Sequence, residues 1–387
     1  MMAFRARPVL AVAGSMLCVA ATVGASAAPA QASASASAPG WRITKILNPK
    51  YDSNLLNVIA PSTHDTWAFG DGAGGRPIGA HWTGGTAWPN SAIPGAFTRV
   101  GYVSSTSPDN VWAGGSECSG GGPGIKSVTA TYVARFNGHK WSSTRFNTAA
   151  YCGGSMVTTS PSNGWLLGTN QAEHFTGRHW TKVSLPKLGS VISATAVSAH
   201  DIWAVGGRFN ALHLARSTAF FTHYNGHVWR TVGFPAIKLP KNGYLYPYDI
   251  AAASANNIWA AVTVFPAGAQ SFLLHWNGSK WQKIPVPVTP YQLLQLTPDG
   301  HGGVWAIMFQ SQNGDYQFAH YAAGHWTYDQ VPTNGLPSGV TPTSASFDVY
   351  SIALIPGTRD VVASGDVFYT GSNNVSHEES LIFQYTP

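Results

Sequence analysis

One phrase returns six times along this chain, and it is the feature that most restricts the possible folds. Each copy has an apolar stretch, a turn of Ser or Thr with Asp or Asn, and then Trp followed by small residues. A variable segment, an aromatic strand, a Gly turn and a second Trp complete the unit. The first Trp recurs at Trp67, Trp112, Trp165, Trp203, Trp259 and Trp305. A repeat of roughly 40–50 residues that reads as four short strands is typical of a β-propeller blade.

The four predicted strands of each unit are labelled A to D. In the fourth unit, strand A covers residues 191–197 and strand B covers 202–206. In the fifth unit, strand C covers 272–276 and strand D covers 281–286. The turn from C to D contains Asn-Gly, which favours a tight hairpin. We expect the six repeated Trp residues of strand B to pack between blades, because each indole buries a large apolar area.

The last unit supplies only strands A to C, at 350–355, 361–365 and 381–385, whereas residues 41–45 resemble an unpaired strand D. Pairing these two segments completes a seventh blade and removes exposed sheet edges. The sequence therefore predicts an all-β fold: a single seven-bladed β-propeller over residues 41–387. Its ring is closed by an N-terminal strand that completes the last blade.

The units show a resemblance to known propeller repeats. The glycine pairs at 114–115 and 206–207 end strand B as a glycine pair does in kelch repeats, and Tyr224 and Trp229 match the later Tyr and Trp. The Gly-x-x-Trp turn resembles the Asp-box hairpin, although the Asp is absent. The chain thus resembles the kelch-like and Asp-box-like propellers that actinomycetes secrete. This resemblance implies a fold and no particular activity, because propellers carry many unrelated functions.

The N-terminal region predicts an export signal. Arg5 and Arg7 precede an apolar stretch at 9–23, and small residues follow, including a cleavage motif at 28–30. We expect a signal peptide over residues 1–30, with cleavage within about 27–38, and a secreted, extracellular product without a membrane span. A retained signal anchor is the alternative, and association with the cell wall is left open.

Charge and cysteine content indicate which partners to exclude and which covalent bond to expect. The chain carries 22 Lys and Arg against 16 Asp and Glu, a net charge of +6, with no basic cluster. Nucleic acid is therefore not an expected partner. Removal of the leader leaves Cys118 and Cys152, and an even pair in an oxidising compartment predicts a disulfide.

Catalytic candidates are few. Most of the 14 His residues recur at equivalent repeat positions, which favours a structural role, and we expect neither a metal nor another cofactor. A glycoside hydrolase needs two carboxylates facing each other across a sugar. Glu117 and Glu378 are the candidates in predicted B–C loops, and His301 is a further candidate for a site in the central channel. No catalytic residue is assigned.

Binding residues are expected on one face of the ring. The D–A and B–C connections share this face, and they are longer and more variable than the other turns, as functional loops of repeat folds are. Exposed Tyr together with Arg suits a polar polymer or a protein surface. The predicted ligand-binding residues are Tyr244, Tyr246, Tyr248, Tyr291, Tyr151, Arg76 and Arg208.

The first functional hypothesis is a non-enzymatic binding propeller, a monomer that engages a glycan, a cell-wall polymer or a protein through the D–A/B–C loop face. One alternative is a propeller lyase or glycoside hydrolase with a site in the central channel. Another is a structural scaffold, which predicts flat loop surfaces and no concave pocket. The identity of the ligand does not follow from the sequence.

Overall fold

A computed structural model describes residues 39–47, 54–72, 76–95, 99–116, 130–148, 150, 154–209, 217–265, 270–288, 291–336, 339–371 and 375–387. Within these residues the chain forms seven four-stranded antiparallel sheets, each a blade of a propeller. The predicted seven-bladed fold is confirmed. A single 3-10 turn, Pro342–Ser344, is the helical element in the described part of the chain, where no helix is long and apolar enough to cross a membrane.

The strands follow the chain in order. The first is β1 (Gly40–Leu47). Blade 1 contains β2 (Asn54–Ser62), β3 (Asp65–Gly72), β4 (Arg76–Trp82) and β5 (Asn90–Ala92). Blade 2 contains β6 (Tyr102–Ser107), β7 (Asn110–Ser116), β8 (Thr131–Phe136) and β9 (Trp141–Phe146). Blade 3 contains β10 (Ser155–Ser160), β11 (Asn163–Leu167), β12 (Gln171–Phe175) and β13 (Trp180–Ser184).

The second half repeats this plan. Blade 4 contains β14 (Ser190–Ser198), β15 (Asp201–Arg208), β16 (Thr218–Tyr224) and β17 (Trp229–Val232). Blade 5 contains β18 (Tyr244–Ser254), β19 (Asn257–Phe265), β20 (Gln270–Trp276) and β21 (Trp281–Pro285). Blade 6 contains β22 (Tyr291–Pro298), β23 (Val304–Gln310), β24 (Asp315–Ala322) and β25 (His325–Gln330). Blade 7 contains β26 (Ala345–Leu354), β27 (Val361–Thr370), β28 (Ser376–Thr386) and β1.

The ring closes as predicted, through strand β1. It runs antiparallel to β28, with Trp41 opposite Tyr385, and thereby supplies the outer strand of blade 7. The Trp41 ring stacks on Phe318 of blade 6 at 3.7 Å and meets Trp305 edge to face at 5.6 Å. Strand β1 is therefore held both by its own sheet and by the neighbouring blade.

The six repeated Trp residues pack between blades, which confirms the prediction made for them. Each is at most 5% exposed. Trp203 of blade 4, for example, lies against Trp276 and Trp281 of blade 5, at 5.4 and 5.9 Å between ring centroids. The recurring strand C His stacks on the same indole and bonds the turn residue, as His223 does with Asp201 at 2.7 Å. These His residues therefore have a structural role: each connects the indole to the A–B turn of its own blade.

Two local expectations are corrected. Tyr244, Tyr246 and Tyr248 were expected in a D–A connection, but all three lie in β18. Tyr244 pairs with Phe265 and Tyr246 with Thr263, because β19 extends far enough to provide partners for this alternating segment. The blade 7 strands are also longer than 350–355, 361–365 and 381–385 indicated, because β26 and β28 continue into polar sequence that the apolar pattern did not mark.

Trp41→Ala is expected to loosen the closure of the ring. The indole is 9% exposed and lies at the junction of blades 6 and 7, and truncation of a buried Trp costs about 3–5 kcal/mol. Guanidinium unfolding measures the loss. Trp82→Ala, a half-buried Trp at a C–D turn, serves as the control and should cost about 1 kcal/mol. Equal losses in the two variants would show that closure does not depend on Trp41.

Candidate functional site

A cavity of about 530 Å³ follows the propeller axis and is lined by the inner strand of every blade. These inner strands are β2, β6, β10, β14, β18, β22 and β26. Each has one edge that no strand of its own sheet covers, so its backbone groups need other partners. The groups that provide hydrogen bonds to these strand edges therefore determine what lines the channel.

Five inner strands carry a β-bulge at the equivalent position. The residues inserted by the bulges are Leu56, Ile192, Tyr248, Leu294 and Tyr350. A bulge leaves one residue without a ladder partner and redirects its neighbours. All of these residues except Leu56 line the axial cavity, so the bulges place large side chains at the channel wall.

The residue after each bulge is polar and connects its blade to the next. In four blades its side chain accepts a hydrogen bond from a backbone N–H of the following inner strand. The pairs are Ser193 with Ile250 at 3.4 Å, Asp249 with Leu296 at 2.7 Å, Gln295 with Ile352 at 2.9 Å, and Ser351 with Val58 at 3.0 Å. In blade 1, Asn57 instead donates to the carbonyl oxygen of Val100 at 2.9 Å. These polar side chains therefore form hydrogen bonds that hold neighbouring blades together.

Asp249 is the acidic member of this set. Its carboxylate accepts bonds from the Leu296 N–H and from the Ser193 hydroxyl. Burial raises the pKa of Asp249 to about 6, and the bonds from Ser193, Leu296 and Ile250 offset part of that rise. The carboxyl is thus a structural bridge between blades 4, 5 and 6.

A second acidic group lies in blade 7. Asp348 and Asp366 are direct partners across β26 and β27, and Tyr350 donates a hydrogen bond to Asp348 at 3.0 Å. Asp366 is fully buried. Burial raises the pKa of Asp366 to about 7; the charge of Glu378 adds to this effect, and donors on Ser380 and Tyr350 oppose it. Sequence reasoning missed this residue, whose only signal was an Asp within an otherwise apolar strand B.

The D–A/B–C face carries a row of aromatic rings at blades 4 and 5. The ring of Phe209 lies 4.8 Å from that of Tyr246, which in turn lies 4.8 Å from Tyr248. We name Phe209, Tyr246 and Tyr248 the aromatic row. Tyr244 lies beside it, stacked on Phe265 at 5.2 Å. The three predicted tyrosines are therefore brought together, and Phe209 is an additional member that the sequence did not single out.

The glycine pair at the end of β15 makes this arrangement possible. A Cβ on Gly207 would come within 2.3 Å of the Phe209 ring, and one on Gly206 would collide with the carbonyl oxygen of Ser190. Both positions need glycine because of close approach, since neither has a positive φ. The two glycines therefore leave room for Phe209, the first ring of the aromatic row.

The other predicted binding residues are distributed around the ring. Arg208 is exposed at the end of β15, next to the aromatic row, and donates to the Lys187 carbonyl at 2.7 Å. Tyr291 begins β22 in blade 6, where burial and then the charge of Asp315 raise its pKa. Arg76 begins β4 in blade 1, away from the aromatic row along the ring. Tyr151 lies outside the described residues.

The predicted disulfide and the catalytic alternatives involve five further residues. Cys118, Cys152 and Glu117 lie outside the described residues, so the disulfide stays a prediction. His301 lies in an A–B turn, where it accepts a bond from Arg359 at 3.0 Å, whereas Glu378 lines an outer pocket of blade 7 on the opposite face. Within the described ranges, no group of three His, Cys, Asp or Glu residues is arranged to hold a metal.

Comparisons with known proteins agree with the architecture. The chain matches no protein-family model and no curated protein sequence. It is similar to a protein of unknown function from Dyadobacter fermentans, at 11% identity over 90% of this chain and 100% of that one, with a TM-score of 0.52. It is also similar to the propeller domain of the Trilobed protease from Pyrococcus furiosus, at 8% identity over 85% and 98%, with a TM-score of 0.50.

A further structure that matches is the six-bladed lectin of Aleuria aurantia, which recognises fucose. The identity is 12% over 76% of this chain and 100% of that one, with a TM-score of 0.45. At identities this low, the first two likenesses show the β-propeller fold alone.

Asp366→Asn is expected to stabilise the protein at alkaline pH. Because the pKa of Asp366 is about 7 in the folded protein and the ordinary value for Asp is 3.8, folding favours the protonated acid. The stabilisation is therefore complete at low pH and is lost as pH rises to 7. At roughly 1.4 kcal/mol per pKa unit, the variant should gain about 4 kcal/mol relative to wild type between pH 4 and pH 8.

Guanidinium unfolding of both proteins across this pH range measures the difference. Asp315→Asn provides the control, because Asp315 is exposed. A difference between wild type and Asp366→Asn that does not change with pH would contradict the assignment.

Proposed function

We propose that this chain is a secreted, non-enzymatic binding propeller that engages a glycan through its D–A/B–C face. The observation that carries the proposal is the aromatic row, which presents Phe209, Tyr246 and Tyr248 as a continuous series of rings on that face. The C–H face of a pyranose is apolar and stacks on such rings, while its hydroxyl groups bond to phenols at their edges.

The chemistry of the row supports this role. Burial, followed by the charge of Tyr244, raises the pKa of Tyr246, and burial likewise raises that of Tyr248. Both phenols therefore stay neutral over the physiological pH range. The Tyr248 hydroxyl donates to Gln292 at 2.6 Å, which fixes the ring in place. Because fixed rings lose little conformational entropy on binding, they favour affinity.

The positions of the acidic side chains favour a binding role over catalysis. Asp249 bridges inner strands, and Asp366 is completely buried. The catalytic candidates His301 and Glu378 lie on opposite faces of the ring. Glycoside hydrolysis requires two acids that face each other across the sugar, whereas the Asp249 carboxylate is engaged in hydrogen bonds between blades.

The remaining parts of the proposal follow from the sequence. Residues 1–30 act as a signal peptide cleaved within about 27–38, and the extracellular product is a monomer with a disulfide between Cys118 and Cys152. Mass spectrometry of the exported protein tests both points at once. A mature N-terminus within that range and two cysteines that resist alkylation without reductant are the expected results.

Tyr246→Ala is expected to weaken glycan binding about tenfold or more, which corresponds to about 1.4 kcal/mol. Purified mature protein is incubated with insoluble peptidoglycan, chitin, cellulose and xylan, and retention is measured over a range of polymer concentrations. Phe209→Ala should have a similar effect. Tyr246→Phe keeps the ring and removes the hydroxyl, so it separates stacking from hydrogen bonding.

The matched control is Tyr328→Ala, because Tyr328 lies on the outer strand β25 of blade 6. Supernatants are analysed for released sugars by mass spectrometry. Retention that is unchanged in Tyr246→Ala and Phe209→Ala overturns the proposed surface. Release of defined products overturns the non-enzymatic role, and an absence of retention on all four polymers overturns these glycans as ligands.

A further inference from the structure

The indole of strand B has the same surroundings in six blades. It enters a slot in the next blade, between the last aromatic residue of strand C and the Trp that opens strand D. Trp165, for example, lies 4.8 Å from Tyr224 and 5.5 Å from Trp229. The slot is therefore shaped for a flat bicyclic ring, and it is filled by the protein's own side chain.

Blade 7 departs from this rule. Val362 pairs with Gln384 across β27 and β28, as Trp203 pairs with His223 across β15 and β16. Val362 therefore occupies the Trp position, and it is much smaller than an indole. The slot that it faces, at the junction with blade 1, lacks its usual side chain.

The slot stays open as a cavity of about 570 Å³. Its aromatic walls are Trp82 and Trp88 of blade 1, whose ring centroids are 6.3 Å apart, and both side chains are half-buried. Ile355, Val362 and Ile382 supply aliphatic surface. Close-packed interiors rarely leave such a volume unfilled, because the surrounding atoms lose their dispersion contacts.

The polar groups of the cavity also match those of two filled slots. Asp360 precedes Val361 as Asp201 precedes Ile202, and both Asp360 and Gln384 line the cavity. In blade 4, the Trp203 Nε1–H donates to Asp201 at 2.8 Å, and in blade 2 the corresponding indole donates to an Asn at the same distance. An acceptor for a ring N–H is therefore present at the equivalent place in blade 7.

We propose that the cavity between blades 7 and 1 binds one planar aromatic ring of indole size, with its ring N–H directed at the Asp360 carboxylate. The ligand takes the place that the protein's own indole fills in the six other blades. The cavity opens near the A–B and C–D turns, on the face opposite the aromatic row, so this site is independent of the proposed glycan surface. Apolar cavities of this kind bind aromatic molecules because no protein atoms fill them.

The test uses indole itself as the probe, with calorimetry and saturation-transfer NMR on the mature protein. Wild type should bind indole, and Val362→Trp should lose this binding because the added side chain fills the slot. Val228→Trp is the matched control, since it adds an indole at a position that is 44% exposed, and it should bind as wild type does. If Val362→Trp does not fold, Val362→Phe fills most of the same space.

The orientation of the ring is tested with N-methylindole, which lacks the donor. It should bind wild type about fivefold more weakly than indole. Asp360→Ala should weaken the binding of indole by the same factor and leave the binding of N-methylindole unchanged. N-Acetyltryptophanamide distinguishes the source of the ring: binding as tight as that of indole identifies a peptide side chain, and weaker binding identifies a free aromatic compound.

Three results would overturn the proposal. The first is an absence of indole binding to wild type at millimolar concentration. The second is indole binding that survives in both Val362→Trp and Val362→Phe. The third is preferential binding of a methyl pyranoside that Val362→Trp abolishes, because it would assign the cavity to a sugar. Loss of polymer retention in the aromatic-row variants does not affect any of these results.

Discussion

The contact on which the ring depends is the insertion of one blade's indole into the next blade. A single sheet of four short strands buries too little apolar surface to be stable alone, so each blade needs its neighbour. The strand B Trp provides this contact at six junctions, and at the last of them Trp305 meets Tyr385 and Trp41 of blade 7. Six of the seven junctions therefore share the same aromatic packing, and the seventh has Val362 in place of the Trp.

A second constraint acts at the axis, where inner strands would otherwise leave backbone N–H groups unpaired. Small polar side chains from one blade accept these bonds from the next, as Thr195 does from Ala252 at 3.1 Å and Thr297 from Leu354 at 2.9 Å. The channel is therefore lined by groups that already have partners. The two surfaces proposed to bind ligands, the aromatic row and the cavity beside Val362, do not depend on these side chain-to-backbone bonds.

The sequence predicted the repeated Trp and turn positions and missed features that its residue pattern does not mark. Six Trp residues in register and the Asn-Gly hairpins were enough to predict the repeated blades. The incomplete last unit and residues 41–45 were enough to predict the seventh blade and the closure of the ring. The bulges were not visible, because a one-residue insertion does not disturb an irregular apolar pattern. Tyr244 and Tyr246 were recognised as binding candidates but assigned to a loop, because the length of β19 decides whether they pair. The sequence shows that Val362 replaces the repeated Trp. It does not show the cavity beside Val362, because that cavity depends on the positions of Trp82 and Trp88.

The pairing of β1 with β28 also has a consequence for the order of folding. The Arg42 and Thr386 side chains that meet there are 344 residues apart in the chain, so this contact carries the largest loop-closure entropy in the ring. Blades 1 to 6 are built from neighbouring segments and can form in succession, each on the one before. Until β1 arrives, β28 is an open sheet edge that another chain can occupy. The arrival of β1 therefore determines how long the β28 edge stays open during folding.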